Sequence, residues 1–178
     1  MWNFGSCRLK WVHDTTHHGP SQVDAMTAGE LFALAAGAGA VITGGIYAAF
    51  TVMVLPALDR VGAARATEAM RAVNAAAERP PFLSLFFGTA AASLAVAGSV
   101  VLEEPGSGRP WAQLAGAALA FVAFALTVVV NVPLNRGLAT AALQEEAWVS
   151  HRRRWGRANS VRALISVVGG VPLLAASP

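Results

Sequence analysis

The sequence predicts an all-α integral membrane protein: a four-helix bundle with interfacial amphipathic helices in its two long loops. Four apolar stretches carry this reading, at about residues 31–55, 82–102, 111–133 and 159–176. Each of the first three can supply the ~20 helical residues that a hydrocarbon core demands. Composition agrees, with 55% hydrophobic and only 13% charged residues, where soluble domains carry roughly twice that charge. Backbone groups at membrane depth have no water to bond, so helices are the form these stretches must take. With 178 residues the chain has room for one transmembrane domain, residues 29–178, behind a polar leader, residues 1–28.

The leader is irregular and holds His13, His17 and His18. No apolar run follows Arg8 and Lys10 before Leu31, unlike a cleavable signal peptide. It reads either as a disordered tail or as an extension ahead of a start at Met26. His17 and His18 lack a neighbouring carboxylate or Cys pattern, which favours a solvated tail over a metal site. Cys7 is alone and forms no internal disulfide.

The first span ends at Pro56. After it, Glu68, Arg71, Asn74 and Glu78 recur at helical spacing opposite Met70, Val73 and Ala77, which predicts an interfacial amphipathic helix ended by Pro80-Pro81. The second span reaches Leu102, and the short Gly/Pro-rich loop Glu103–Pro110 makes spans two and three an antiparallel hairpin. Pro133 is expected to kink the third span, because it removes a donor and crowds the carbonyl of Val129. A second amphipathic stretch, Leu138–Arg157, then leads into span four.

Charge sets the expected orientation. Arg60, Arg65, Arg71, Arg79, Arg136, Arg152, Arg153, Arg154 and Arg157 fall on one side, against Arg8, Lys10 and Arg109 on the other. The positive-inside rule therefore puts the long basic loops in the cytoplasm and both termini outside the cell membrane. The same rule accounts for the net charge of +3 and pI near 10 without nucleic acid as a partner; the lipid bilayer is the partner that composition implies.

Some signals lead nowhere. Gly37-Ala38-Gly39-Ala40 and Gly44-Gly45 lie inside one apolar span, not between a strand and a helix, so they do not form a dinucleotide loop. Ala33, Gly37, Gly45 and Ala49 instead suggest a small-residue packing face. No span carries a His or a central Asp or Glu, which disfavours haem ligation, a di-iron centre and an acidic proton relay.

What the spans do carry is amide, hydroxyl, indole and guanidinium. Thr43, Tyr47 and Thr51 repeat every four residues on span one, and Thr127, Asn131 and Asn135 do so on span three. Trp148, Trp155, Asn159 and Arg162 share one face if their helix is continuous. The two Trp residues fit either an interface belt or a cavity wall. An Arg inside a span usually faces the bundle interior with partners, so Asn131, Asn135, Asn159 and Arg162 are the candidates to line a cavity.

The run Asn131-Val-Pro-Leu-Asn-Arg136, followed by Trp148, Trp155, Asn159 and Arg162, resembles the anthrone oxygenase-like family of small four-helix membrane proteins. Tyr47-Ala-Ala-Phe-Thr-Val-Met-Val-Leu-Pro-Ala-Leu58 looks like that family's first-span ending, and Met70, Asn74 and Pro81-Phe82 like its interfacial helix. The resemblance spans roughly Gly45 to Ile165. It implies oxidation of a flat aromatic, anthrone-like molecule to a quinone by O₂, with no metal or flavin cofactor. Arg162, Asn131, Asn135 and Asn159 would then stabilise an oxyanion, His151 would act as base, Trp148 and Trp155 would stack on the ring system, and Tyr47 and Thr51 would help bind the substrate. The alternative is a non-catalytic membrane protein, a lipid- or quinone-binding subunit or assembly partner, that uses the same polar groups between helices.

Overall fold

The computed structural model describes residues 26–102 and 110–175. The leader through residue 25 and most of the loop after span two lie outside the described residues. Among the described residues there is no strand. The helices are α1 (Ala28–Asp59), α2 (Ala63–Ala77), α3 (Pro80–Leu102), α4 (Pro110–Thr140) and α5 (Glu145–Ala175). All but α2 are long and apolar enough to cross a membrane, and they fit an integral membrane protein.

Local chemistry explains several boundaries. A capping box opens α1: Thr27 Oγ1 accepts from the Glu30 N–H at 3.2 Å, and the Glu30 carboxylate accepts from the Thr27 N–H at 2.7 Å. Pro80, whose missing N–H costs nothing in a first turn, starts α3 directly after α2.

Pro56 and Pro133 lie within their helices and do not terminate them. Both helices continue beyond the apolar stretches read from sequence, to Asp59 and Thr140. Each passes its proline by way of a π-helical turn immediately before it, Phe50–Val54 and Thr127–Asn131. A wider turn shifts the hydrogen-bond register where proline cannot donate and relieves its crowding of the carbonyl four residues back. The second interfacial stretch is likewise not a separate element. Residues from Glu145 onward form the first half of α5, one uninterrupted helix of 31 residues, because Trp148, His151, Trp155, Asn159 and Arg162 form a single inward stripe that a break would scatter.

The four long helices form a ring in which α1 packs on α3 and α5, and α4 packs on α3 and α5. Phe86 near the start of α3 meets Phe124 midway along α4, with ring centroids 4.6 Å apart, whereas Val96 later in α3 shares a core cluster with Ala117 earlier in α4, so these two helices run antiparallel. The interior is built of small residues, among them Ala33, Ala36, Ala40, Ala117, Ala120 and Ala123, while Ile42, Val52, Leu94, Val129 and Leu164 point outward. Burying small residues and exposing large apolar ones inverts the soluble pattern and suits lipid as solvent.

Close helix approach depends on glycine at two crossings. A methyl on Gly37 would come within 3.0 Å of the Gly170 carbonyl oxygen, and one on Gly116 within 2.6 Å of that of Gly169. The small-residue face is therefore centred on Ala33, Gly37, Ala40 and Gly44, whereas Gly45 is exposed with open space around it.

At the basic end of the ring, α2 packs across α5 and the last turns of α1 and α4. Met70 and Ala66 sink into an apolar cluster with Leu55, Leu138, Trp148 and Trp155. Arg71 secures the arrangement, its Nε donating to the Leu138 carbonyl at 3.0 Å and its Nη2 to that of Ala141 at 2.5 Å. Those carbonyls lie at the end of α4, where no further turn supplies donors.

Candidate functional site

Three helices bring polar groups to one level of the bundle. From α5 come Trp155, Asn159 and Arg162, spaced four and three residues apart on the buried face. The guanidinium of Arg162 is the centre. Its Nη1 donates to Thr127 Oγ1 on α4 at 2.8 Å, and its Nη2 to Asn159 Oδ1 at 2.8 Å. Asn159 then reaches across to α1, donating through Nδ2 to the Tyr47 carbonyl at 2.6 Å and to Thr51 Oγ1 at 2.9 Å. Both threonines belong to the π-helical turns, so the backbone adjustment at each proline also presents a hydroxyl to α5.

Arg162 is only 3% exposed and has no carboxylate partner; among the described residues the ion pair is Arg152 with Asp59, at 3.1 Å near the surface. Its charge is met instead by aromatic faces, lying 4.1 Å from the Tyr47 ring centroid and 5.6 Å from that of Trp155. Desolvated cation–π contacts of this kind are worth about 2 kcal/mol each. Nε remains without a partner.

A cavity of about 530 Å³ opens beside this group. Tyr47, Thr127, Asn131, Asn135, Asn159 and Arg162 form its polar inner wall, and Ile46, Phe50, Phe82, Leu83, Phe86 and Trp155 its apolar surfaces. Toward α2 it is bounded by Arg71, Asn74, Glu78 and Arg136. Several wall residues hold buried polar atoms without partners: both side-chain atoms of Asn131, Asn135 Oδ1, Trp155 Nε1 and Arg162 Nε. Unsatisfied buried groups are rare and costly, and here they belong to residues that line one apolar-walled cavity, a setting typical of small-molecule sites.

Of the site residues expected from sequence, Tyr47, Asn131, Asn135, Trp155, Asn159 and Arg162 share this cavity. Thr51 stands behind the wall as an acceptor for Asn159. Trp148 is buried in the apolar cluster under α2 and does not line the cavity. Neither Trp148 nor Trp155 is a lipid-facing belt residue, since they are 4% and 6% exposed. His151 is also elsewhere: it stacks between the two indoles, with centroids 6.2 Å and 6.3 Å away, and lines a separate hollow.

Sequence reasoning did not assign Asn74, Glu78, Phe82 or Phe86 to the site, although the spacing of Arg71, Asn74 and Glu78 on α2 was legible. What was missing was that α2 turns this face toward the bundle. Glu78 is the one carboxylate on the cavity wall. Among the described residues no three His, Cys, Asp or Glu side chains gather around a possible metal position.

No curated protein and no solved structure matches this chain. A family model does, the one described as anthrone oxygenase, over residues 82–172. The matched half contains α3, α4 and nearly all of α5, and with them the Asn131–Arg136 run and the Trp155, Asn159 and Arg162 stripe that together make most of the cavity's polar wall. On that match the chain belongs to the anthrone oxygenase family.

Proposed function

We propose that this protein oxidises a flat, anthrone-like aromatic substrate to a quinone with O₂, using the cavity beside Arg162. One observation carries the reading: a buried guanidinium with no carboxylate partner lines a cavity that it shares with amides and aromatic rings, and the one carboxylate on the wall, Glu78, is not paired with it. Such a site favours an anion that forms inside it and offers a neutral ketone much less.

The chemistry needs an acidic methylene beside an aromatic ketone. Loss of one proton gives an enolate, whose negative charge resides on the ketone oxygen. Arg162, with Asn131 and the Trp155 N–H, donates to that oxygen. Glu78, on the same cavity wall, receives the proton, directly or through water. The electron-rich enolate then reduces O₂ and the methylene carbon forms a bond to oxygen. The peroxide anion so formed takes that proton back, and the resulting hydroperoxide loses water as the second hydrogen departs. One oxygen atom becomes the new carbonyl and the other leaves as water; all four electrons come from the substrate. Phe50, Phe82, Phe86 and Trp155 supply flat apolar contacts for the rings, and Tyr47, already beneath the guanidinium, orients the oxygen end.

The test is conversion of an anthrone by purified protein in detergent, in air and under argon, against the spontaneous oxidation rate. Turnover above background with one ¹⁸O atom retained from ¹⁸O₂ supports the proposal. A rate equal to background, with the aromatic bound but unchanged, would favour a binding subunit.

A further inference from the structure

A second hollow, also about 530 Å³, lies on the other face of α4, between its last turns and the start of α5. It is independent of the oxidation proposed above. Its walls change character from one end to the other. Val129, Val130 and Pro133 make one end apolar, and Ser150, His151 and Arg154 make the other polar. Val129 is 71% exposed on the outer surface of the span, so the apolar end continues into the face that lipid covers.

His151 is the unexplained group. It is 6% exposed, and its Nε2 has no partner. The Leu134 backbone lies beside the ring, and with the proton on Nδ1 the neutral imidazole presents Nε2 as an acceptor. A buried acceptor without a donor is expensive in a native structure. The polar end also carries Arg154, with no carboxylate on the walls, and Arg153 and Arg157 are exposed on the same helix.

We propose that this hollow holds the headgroup of an anionic phospholipid that carries a free hydroxyl, of the phosphatidylglycerol type. The phosphate sits against Arg154, a headgroup hydroxyl donates to His151 Nε2, and an acyl chain follows Val130 and Val129 along the outside of α4. Charge complementarity selects an anionic lipid, and the orphaned acceptor selects one with a donor. Phosphatidylcholine offers neither.

The experiment uses the full chain in nanodiscs of phosphatidylcholine with and without phosphatidylglycerol, followed by native mass spectrometry of retained lipid and by thermal unfolding. The wild type is expected to retain phosphatidylglycerol selectively and to unfold at a higher temperature in its presence. Arg154→Gln, an exposed position, should weaken retention about tenfold. His151→Phe keeps the stacking between the two indoles but removes the acceptor, and should do the same. Equal retention of both lipids by the wild type, or unchanged retention in both variants, overturns the proposal. So does displacement of the lipid by glycerol 3-phosphate alone, which would make the ligand a soluble phosphate ester, or a dimer that buries the hollow in place of lipid.

Discussion

Arg162 Nη2 donates to Asn159 Oδ1 at 2.8 Å, one turn back on the same helix. That bond orients the amide so that its Nδ2 faces α1 and meets the Tyr47 carbonyl and Thr51 Oγ1. One residue presents the charge and the other fixes it between helices. Substitutions at the two positions should therefore fail in different ways.

Arg162→Gln keeps a polar donor on a shorter stem and removes the charge. Turnover of an anthrone should fall by about 10²–10³-fold, the usual loss when a preorganised oxyanion donor is removed. Arg162→Lys should recover little, because a compact ammonium on a flexible stem does not reproduce the planar fork whose two ends meet Thr127 and Asn159. Initial rates corrected for spontaneous oxidation check both, with circular dichroism confirming the helices.

Asn159→Ala should instead lower stability. It strips a partner from Arg162, from the Tyr47 carbonyl and from Thr51. Interhelical hydrogen bonds within membranes average below about 1 kcal/mol each, so a total loss of about 1–2 kcal/mol is expected. Unfolding in detergent, compared with Asn159→Asp, measures it.

At Asn131 activity and stability should separate. Both side-chain polar atoms are buried without partners, so Asn131→Leu, of similar shape, should leave stability unchanged or raise it by about 1 kcal/mol. Turnover should drop. A clear loss of stability would mean that the amide is bonded inside the bundle and is not free for a ligand.

Gly169→Ala and Gly45→Ala test the packing. A methyl on Gly169 would meet the Gly116 carbonyl oxygen at 2.8 Å and the Ala120 nitrogen at 3.1 Å, and backbone cannot step aside. A cost of about 1–3 kcal/mol follows. Nothing lies within 4 Å of a methyl on Gly45, and alanine there should stabilise the helix by about 0.5–1 kcal/mol. Paired unfolding curves decide it.

Arg71→Ala should loosen α2 over the cavity. Two hydrogen bonds to the end of α4 disappear, and amide exchange in residues 63–77 should accelerate while the four long helices stay protected. Equal exchange in variant and wild type would show that the apolar cluster around Met70 holds α2 by itself.

The spans, the amphipathic character of α2 and the polar set Tyr47, Asn131, Asn135, Trp155, Asn159 and Arg162 were legible in the amino-acid order. Length and hydropathy reflect the thickness of a bilayer, and helical periodicity places residues on faces, so both are properties of local sequence. Which faces meet was not local. The Gly37–Gly170 and Gly116–Gly169 crossings and the inward turn of α2 arose only when helices packed, because each depends on a neighbour distant in sequence. His151 shows the difference most plainly. Its spacing along α5 allowed it to join Asn159 and Arg162, but the azimuth of α5 against α4 decided which side of α4 it faces. That rotation brought Arg162 to one cavity and His151 to another.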